Sequence, residues 1–435
     1  MRIILLFLTL VLVPISMFSQ VGEISGKVKD EKGEGIPFAT IVILQNNVPT
    51  GKGTQTDFDG NYSLKPLTPG KYDVKFSYVG YTAQLRTGVV VSADKITFID
   101  VQLKPQENLI QEVQVIEYKV PLIDPGKTTT GGTITSEEIA KLPTRDVTTL
   151  ASTTGGVGQS DNGAALNLRG GRSDGTAIFI DGVRVRGSVN LPANAISQIS
   201  INLGGLPAKY GDATGGAIAV TTKGPSSKFV GGFEGITSYG MDAYGYILGN
   251  GNVSGPIYTS KKDNRTVAGF FLAGEYEHFK DPSPSAIGVW QVKDDVMSEI
   301  KANPLVKNPR TEGFILSSET VTKDDLFLAR SKPNVATNKY TATGRLDFKP
   351  SEAISLAFGG FYNYYRYHDW VDRYTVFNAE NNPLYTEQSM RGFARLTHNI
   401  GTGRKEEEGG EKKSSAIQNI FYTIQFDYEK FKAIS

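Results

Sequence analysis

From residue 226 onward the chain alternates apolar and polar side chains with a period of two, over stretches longer than ordinary strands. Tyr340, Ala342, Gly344, Leu346 and Phe348 interleave with Thr341, Thr343, Arg345, Asp347 and Lys349. In an extended backbone this sets one face apolar and the other charged. Ile420, Tyr422, Ile424, Phe426 and Tyr428 repeat the pattern against Asn419, Thr423, Gln425, Asp427 and Glu429, with Phe421 as the break. Seven such segments occur, at about 228–240, 243–255, 266–280, 338–349, 354–368, 389–400 and 416–430. Most reach the roughly 9–11 residues that a tilted strand needs to cross a bilayer. Tyr362, Tyr364, Tyr365 and Tyr367 crowd the end of one segment, as expected of an interfacial girdle. A soluble sandwich or solenoid is the competing reading of the same alternation.

Connection lengths favour a membrane barrel, in which short turns and long loops alternate. The second and fourth connections, Lys261-Lys262-Asp263-Asn264-Arg265 and Pro350-Ser351-Glu352-Ala353, are short, whereas 281–337 and 369–388 are long. The sixth, 401–415, is longer than its place predicts, and its charge run Arg404-Lys405-Glu406-Glu407-Glu408 reads as a solvated loop.

The remaining composition narrows the choice. The chain has 435 residues, enough for two or three domains. With 46 Lys+Arg against 45 Asp+Glu there is no basic footprint for nucleic acid. The absence of Cys excludes disulfides, thiolate zinc and a cysteine nucleophile, and His278, His368 and His398 are scattered. Met1-Arg2 followed by an apolar run from Ile3 to Val13 and a small-residue zone reads as a secretory signal peptide over 1–20, too short to span a bilayer.

Residues 21–104 carry turn signals every 8–12 residues, the mark of a β-sandwich. Glu23-Ile24-Ser25-Gly26-Lys27-Val28 alternates, Asp30-Glu31-Lys32-Gly33-Glu34-Gly35 turns the chain, and Ile36 to Leu44 is a β-branched run. Phe38, Tyr62, Phe76 and Tyr78 are the expected aromatic core, and this segment is expected to fold alone. Asp57, Asp59 and Asn61 read as turn residues, since a calcium loop needs further ligands. The succession of G-x-V-x-D-x-x-G, T-D-x-D-G-x-Y and G-x-Y-x-V-x-x-x-Y-x-G-Y resembles the carboxypeptidase-regulatory-like β-sandwich.

Residues 105–125 hold Pro105, Pro121 and Pro125 and read as a linker. Within it, Glu112, Val113, Gln114, Val115 and Ile116 alternate like a strand able to join a partner's sheet edge. Residues 126–225 open with two short helices, Thr135 to Leu142 and Arg145 to Ala151, the first ended by Pro143. There follow Leu166-Asn167-Leu168-Arg169-Gly170-Gly171-Arg172, Ala177-Ile178-Phe179-Ile180-Asp181-Gly182-Val183, Ile196 to Ile201, and Gly215-Gly216-Ala217-Ile218-Ala219-Val220. No phosphate-loop or dinucleotide spacing accompanies these glycines. In order and spacing the motifs resemble the plug domain of TonB-dependent outer-membrane transporters, and residues 112–116 then resemble the TonB box.

The fold class implied is mainly β: an Ig-like or prealbumin-like sandwich, an α+β plug, and the first strands of a transmembrane antiparallel barrel over 226–435. The resemblance, to the type common in the Bacteroidetes, implies import of a small-molecule, glycan or peptide ligand. The energy would come from the TonB-ExbB-ExbD complex, with no enzymatic step, cofactor or metal, and the plug and sandwich would lie on the periplasmic side. Arg169, Arg172, Asp181, Arg184 and Arg186 are the candidate plug–barrel contacts, and ligand contacts are expected around 155–165, 184–192 and 281–337. A SusC-like importer with a surface lipoprotein, a signal-transducing transporter and a non-transport adhesion or accessory sandwich are the alternatives. Seven strands at about 30 residues each fall short of the roughly 22 of a plugged barrel, so the chain is expected to be the N-terminal part of a longer protein.

Overall fold

The computed structural model describes residues 21–434 except 46–47, 94, 106–112, 119–129, 143, 161–165, 186–189, 207–209, 211–212, 262–264, 352 and 401–419. The signal-peptide segment, Glu112, Arg186 and the sixth barrel connection thus lie outside the described residues.

The N-terminal unit is a sandwich of two sheets. Its strands are β1 (Gly22–Lys29), β2 (Thr40–Gln45), β3 (Val48–Gln55), β4 (Asn61–Leu67), β5 (Gly70–Ser77), β6 (Ala83–Val91), β7 (Ile96–Phe98) and β8 (Val101–Gln102). One sheet runs β4-β1-β7 with β8 also on β1, and the other begins β3-β2-β5-β6. Inward-facing Ile24, Val28, Ile41, Ile43, Val74, Phe76 and Val89 are all buried, which is what period-two patterning requires of the face between two sheets. Tyr62 joins them by donating its hydroxyl proton to the Ile99 carbonyl at 2.7 Å. Phe38 does not belong to this core: it is 51% exposed. The cause is a buried threonine, whose Thr56 Oγ1 donates to Ile36 O at 2.6 Å and accepts from Ala39 N at 2.8 Å. The clamp spans Phe38, holds it at φ +57° and turns its ring outward onto exposed Phe58.

The second unit contains β10 (Thr133–Thr135), helices Ser136–Ile139 and Val147–Ser152, then β11 (Val157–Gln159), β12 (Leu166–Leu168), β13 (Thr176–Ile180), β14 (Val183–Val185), β15 (Ile196–Asn202) and β16 (Gly216–Thr222), with β9 (Val113–Glu117) preceding it. Asp146 caps the second helix, its Oδ1 accepting from Thr148 N and Thr149 N at 3.0 and 2.9 Å. Five strands form one sheet, β10-β15-β16-β13-β14. Every residue of β16 is buried, as its unbroken run of small and apolar residues suits for a central strand covered on both faces.

The third unit is a single curved sheet in strict chain order: β17 (Val230–Thr237), β18 (Ile247–Thr259) and β19 (Thr266–Phe279), then, past a long connection, β24 (Thr337–Phe348), β25 (Ile354–His368), β26 (Leu384–Ile400) and β27 (Ile420–Ile434). The long connection carries β20 (Val289–Val292), helix Asp294–Ala302, β21 (Leu305–Lys307), β22 (Phe314–Leu316) and β23 (Leu326–Ala329). Its two ends are tied by buried Asp281, whose carboxylate accepts from Ser283 N at 3.0 Å and Lys332 N at 2.7 Å. The seven segments read from alternation are these seven strands.

The outer face exposes Phe233, Leu272, Tyr340, Leu346, Phe358, Tyr362, Met390 and Phe426, a band suited to lipid. The concave face carries Glu234, Asn250, Glu275, Arg345, Asn363, Arg391 and Arg395 and holds the second unit. The four clustered tyrosines divide by parity: Tyr362 and Tyr364 lie on the lipid face in register with Ala342 and Tyr340, while Tyr365 and Tyr367 face inward with Glu387 and Tyr385. Only half of the expected girdle is therefore a girdle.

Candidate functional site

Among the described residues, polar contacts on two sides and apolar ones, Phe361 and the cluster of Ala195 with Phe271 and Ala273, join the second unit, the plug, to the concave wall. On one side Arg145 donates through Nη1 and Nη2 to Glu234 Oε2 and Oε1 at 2.8 and 2.5 Å. Asn250 Nδ2 donates to Glu234 Oε2 at 2.9 Å, and Asn194 Nδ2 donates in turn to Asn250 Oδ1 at 2.9 Å. Plug residues 145 and 194 thus bracket wall residues 234 and 250 in one network, with the bidentate geometry that makes Arg–carboxylate pairs directional.

On the other side Arg395 of β26 donates to the backbone carbonyl of Asp181. Asp181 is 3% exposed and sits at φ +49° in the turn between β13 and β14. Its carboxylate accepts from Thr222 N at 3.0 Å and Thr222 Oγ1 at 2.7 Å, so a buried charge in a rarely adopted conformation is fixed from within the plug while its carbonyl faces the wall. Between the two sides Phe361 of β25 completes the plug's own apolar cluster, packing with Ile180, Ile218 and Val220. A Phe361→Ala variant is expected to lose about 3–5 kcal/mol of plug anchoring. Faster limited proteolysis of the plug in the assembled protein is the measurement.

The sequence-derived candidates fall in different places. Asp181 touches the wall as described. Arg169, at φ +50°, bonds within the plug, its Nη2 donating to Thr130 Oγ1 at 2.5 Å. Arg172 is exposed beside a one-turn helix, and Arg184 lies on β14 in register with Phe179. Arg145, Asn194, Glu234, Asn250 and Arg395 were not singled out by the sequence. The signal available for three of them was inward parity on an alternating strand.

The 113–117 strand has a definite place. β9 pairs in parallel with β6, from Ala83 against Val113 to Thr87 against Glu117, and extends the sandwich sheet to β3-β2-β5-β6-β9. Tyr118 N donates to Thr87 O at 2.8 Å. Successive amides of a strand point to opposite sides, so those of Ile116 and Gln114 share the Tyr118 side while those of Val113, Val115 and Glu117 point to the open edge. Among the described residues no strand lies beyond that edge, and Val115 is 61% exposed.

Polar contacts dock the sandwich on the plug. Lys95 Nζ donates to Gly132 O at 3.2 Å and Thr133 Oγ1 at 3.0 Å, and Ser92 Oγ donates to Thr133 Oγ1 at 3.3 Å. Lys71 pairs with Glu137 at 2.9 Å. Burial alone would raise the Glu137 carboxyl; the hydrogen bond and charge of Lys71 override it and leave it below the ordinary value.

Known proteins match this architecture piece by piece. The family model described as carboxypeptidase regulatory-like domain matches residues 23–104, and that described as TonB-dependent receptor plug domain matches 125–217. The TonB-dependent transporter Oar of Myxococcus xanthus is 28% identical over 237 residues, covering 49% of this chain and 21% of Oar. The TonB-dependent receptor SusC of Bacteroides thetaiotaomicron is 27% identical over 247 residues, covering 51% and 23%. The matched stretch thus spans about a fifth of the length of these curated relatives. Among solved structures, the siderophore receptor PirA of Pseudomonas aeruginosa aligns with a TM-score of 0.41 at 17% identity, covering 72% of this chain and 42% of PirA. In carrying a carboxypeptidase regulatory-like domain, then a TonB-dependent receptor plug domain, then an antiparallel wall with a lipid-suited outer face, this chain is similar to TonB-dependent receptors of the outer membrane.

Proposed function

We propose that the protein imports a nutrient ligand across the outer membrane, with the ligand held between the plug and the long connections and with energy delivered through residues 113–117. The observation that supports this reading is a strand, β9, on an open sheet edge beside a plug that polar bonds hold to its wall on two sides. Such bonds break and re-form with water at little net cost, which a plug that must shift requires. In this reading the 260–265 and 349–353 turns and the sandwich face the periplasm, and a TonB-ExbB-ExbD complex supplies the pull.

Growth and uptake of a deletion strain on a panel of iron, glycan and peptide sources tests it. Selective loss of one source, restored by the gene, is the expected result; unchanged uptake of every source would remove the transport reading. A surface lipoprotein partner, as in the SusC-like alternative, is tested by co-purification from detergent extract.

A further inference from the structure

The inward face of β25, β26 and β27, towards the end that carries the long connections, is built unlike the rest of the wall. Tyr365 and Tyr367 stack at 4.6 Å between ring centroids with 25° between planes, and Tyr367 stacks on Tyr385 across the strand pair at 5.4 Å and 20°. Three rings thus form a continuous shelf. Beside it, sharing Tyr365, a cavity of about 20 Å³ opens between wall and plug; its polar lining is Asn363, Glu387, Ser389 and Glu429 with Asn190 of the plug, and its apolar lining Val185, Phe361 and Phe431.

Asn363 is 3% exposed, and its Nδ2 donates to Ser389 Oγ at 3.2 Å. Its Oδ1 is buried without a hydrogen-bond partner. A buried acceptor left unpaired destabilises the fold until a donor reaches it. The charged groups on the cavity wall, Glu387 and Glu429, are acceptors as well, and Glu387 Oε1 accepts from the Tyr367 hydroxyl at 3.4 Å. Of the nearest cations on the same face, Lys339 pairs with Glu277 at 3.9 Å, and Arg391, which lies opposite Glu429 in the strand register, pairs with Asp427 at 3.6 Å.

We propose that this corner binds a primary ammonium group, with the body of the ligand lying on the tyrosine shelf; the proposal rests on the import reading above and names the class of its cargo. An ammonium is about the size of a water molecule, which is what a cavity of this volume admits. It carries three donors and no acceptor, matching Asn363 Oδ1, Glu387 and Glu429 one for one. Aromatic faces beside carboxylates attract cations and suit a flat or aliphatic ligand body. An anionic chelate would meet two carboxylates against the single guanidinium of Arg391 here and is disfavoured. Lysine-bearing peptides and amino sugars share the required chemistry.

Calorimetric titration of the whole receptor in detergent separates the sources, with trilysine and the glucosamine dimer as probes, their N-acetylated forms as controls and ferric citrate as the anionic arm. One or both amines are expected to bind, with acetylation and, separately, Glu387→Gln or Asn363→Leu weakening binding by about ten-fold or more. The stronger amine identifies the source. Equal binding of acetylated probes, preference for ferric citrate, or no amine binding overturns the proposal. These outcomes stand apart from the import reading. Uptake of some other cargo that still depends on Val115 would leave import intact and amine recognition wrong, and amine binding without any Val115-dependent uptake would do the reverse.

Discussion

Energised uptake is expected to fall roughly 100-fold in a Val115→Pro variant, while ligand binding at the cell surface stays within about two-fold of wild type. Proline has no amide proton, and the Val115 amide points to the open side of β9, so the β6 ladder keeps its bonds while the edge offered to a partner strand loses a donor. The Val113→Pro variant should behave alike. Ile116→Pro acts on the other side, removing a bond that holds β9 to the sandwich. If the partner adds to the open edge, Val115→Pro is the more damaging of the two; if it must first strip β9 from β6, Ile116→Pro retains uptake. Uptake assays on the three strains decide between these routes, and wild-type uptake in all of them would sink the assignment of β9.

The second large effect concerns the outer face. Phe358 lies on the lipid side of β25, 47% exposed and in register with Leu346 and Ala394. A Phe358→Arg variant should place a guanidinium in hydrocarbon at a cost of about 2–4 kcal/mol near the midplane, enough to stall assembly. Tyr367→Arg, on the inward face near the loop end, should assemble normally because its charge meets water. Outer-membrane fractionation with heat-modifiable gel mobility distinguishes the two. Equal assembly of both variants would mean that the faces have been assigned the wrong way round.

Much of this was legible before any coordinates, because membrane strands and two-sheet sandwiches both write their faces into the sequence at period two. The alternation from Tyr340 to Phe348 gave strand, length and face together. It also distinguished Tyr362 and Tyr364 from Tyr365 and Tyr367, had parity been followed to the end of the strand rather than residue type. Phe38 was misread for a different reason: hydrophobicity predicts burial, but the left-handed turn imposed by Thr56 is a backbone property that residue type does not announce. The bridges from Arg145 to Glu234 and from Asp181 to Arg395 join residues 89 and 214 positions apart, and only the closed fold brings such pairs together. The strand character of 113–117 was evident, whereas its seat on β6 depends on which sheet edge is nearest and free.

The docking of β9 on the sandwich also bears on how, under the import reading, a pull on that strand would be transmitted. A load on β9 would pass through the β6 ladder into the sandwich, and from there to Lys95, Ser92 and Lys71, whose bonds to Gly132, Thr133 and Glu137 are each worth about 1 kcal/mol. Under the import reading, a pull relayed through the sandwich would meet the plug at β10, the strand next to β15 at the edge of its sheet.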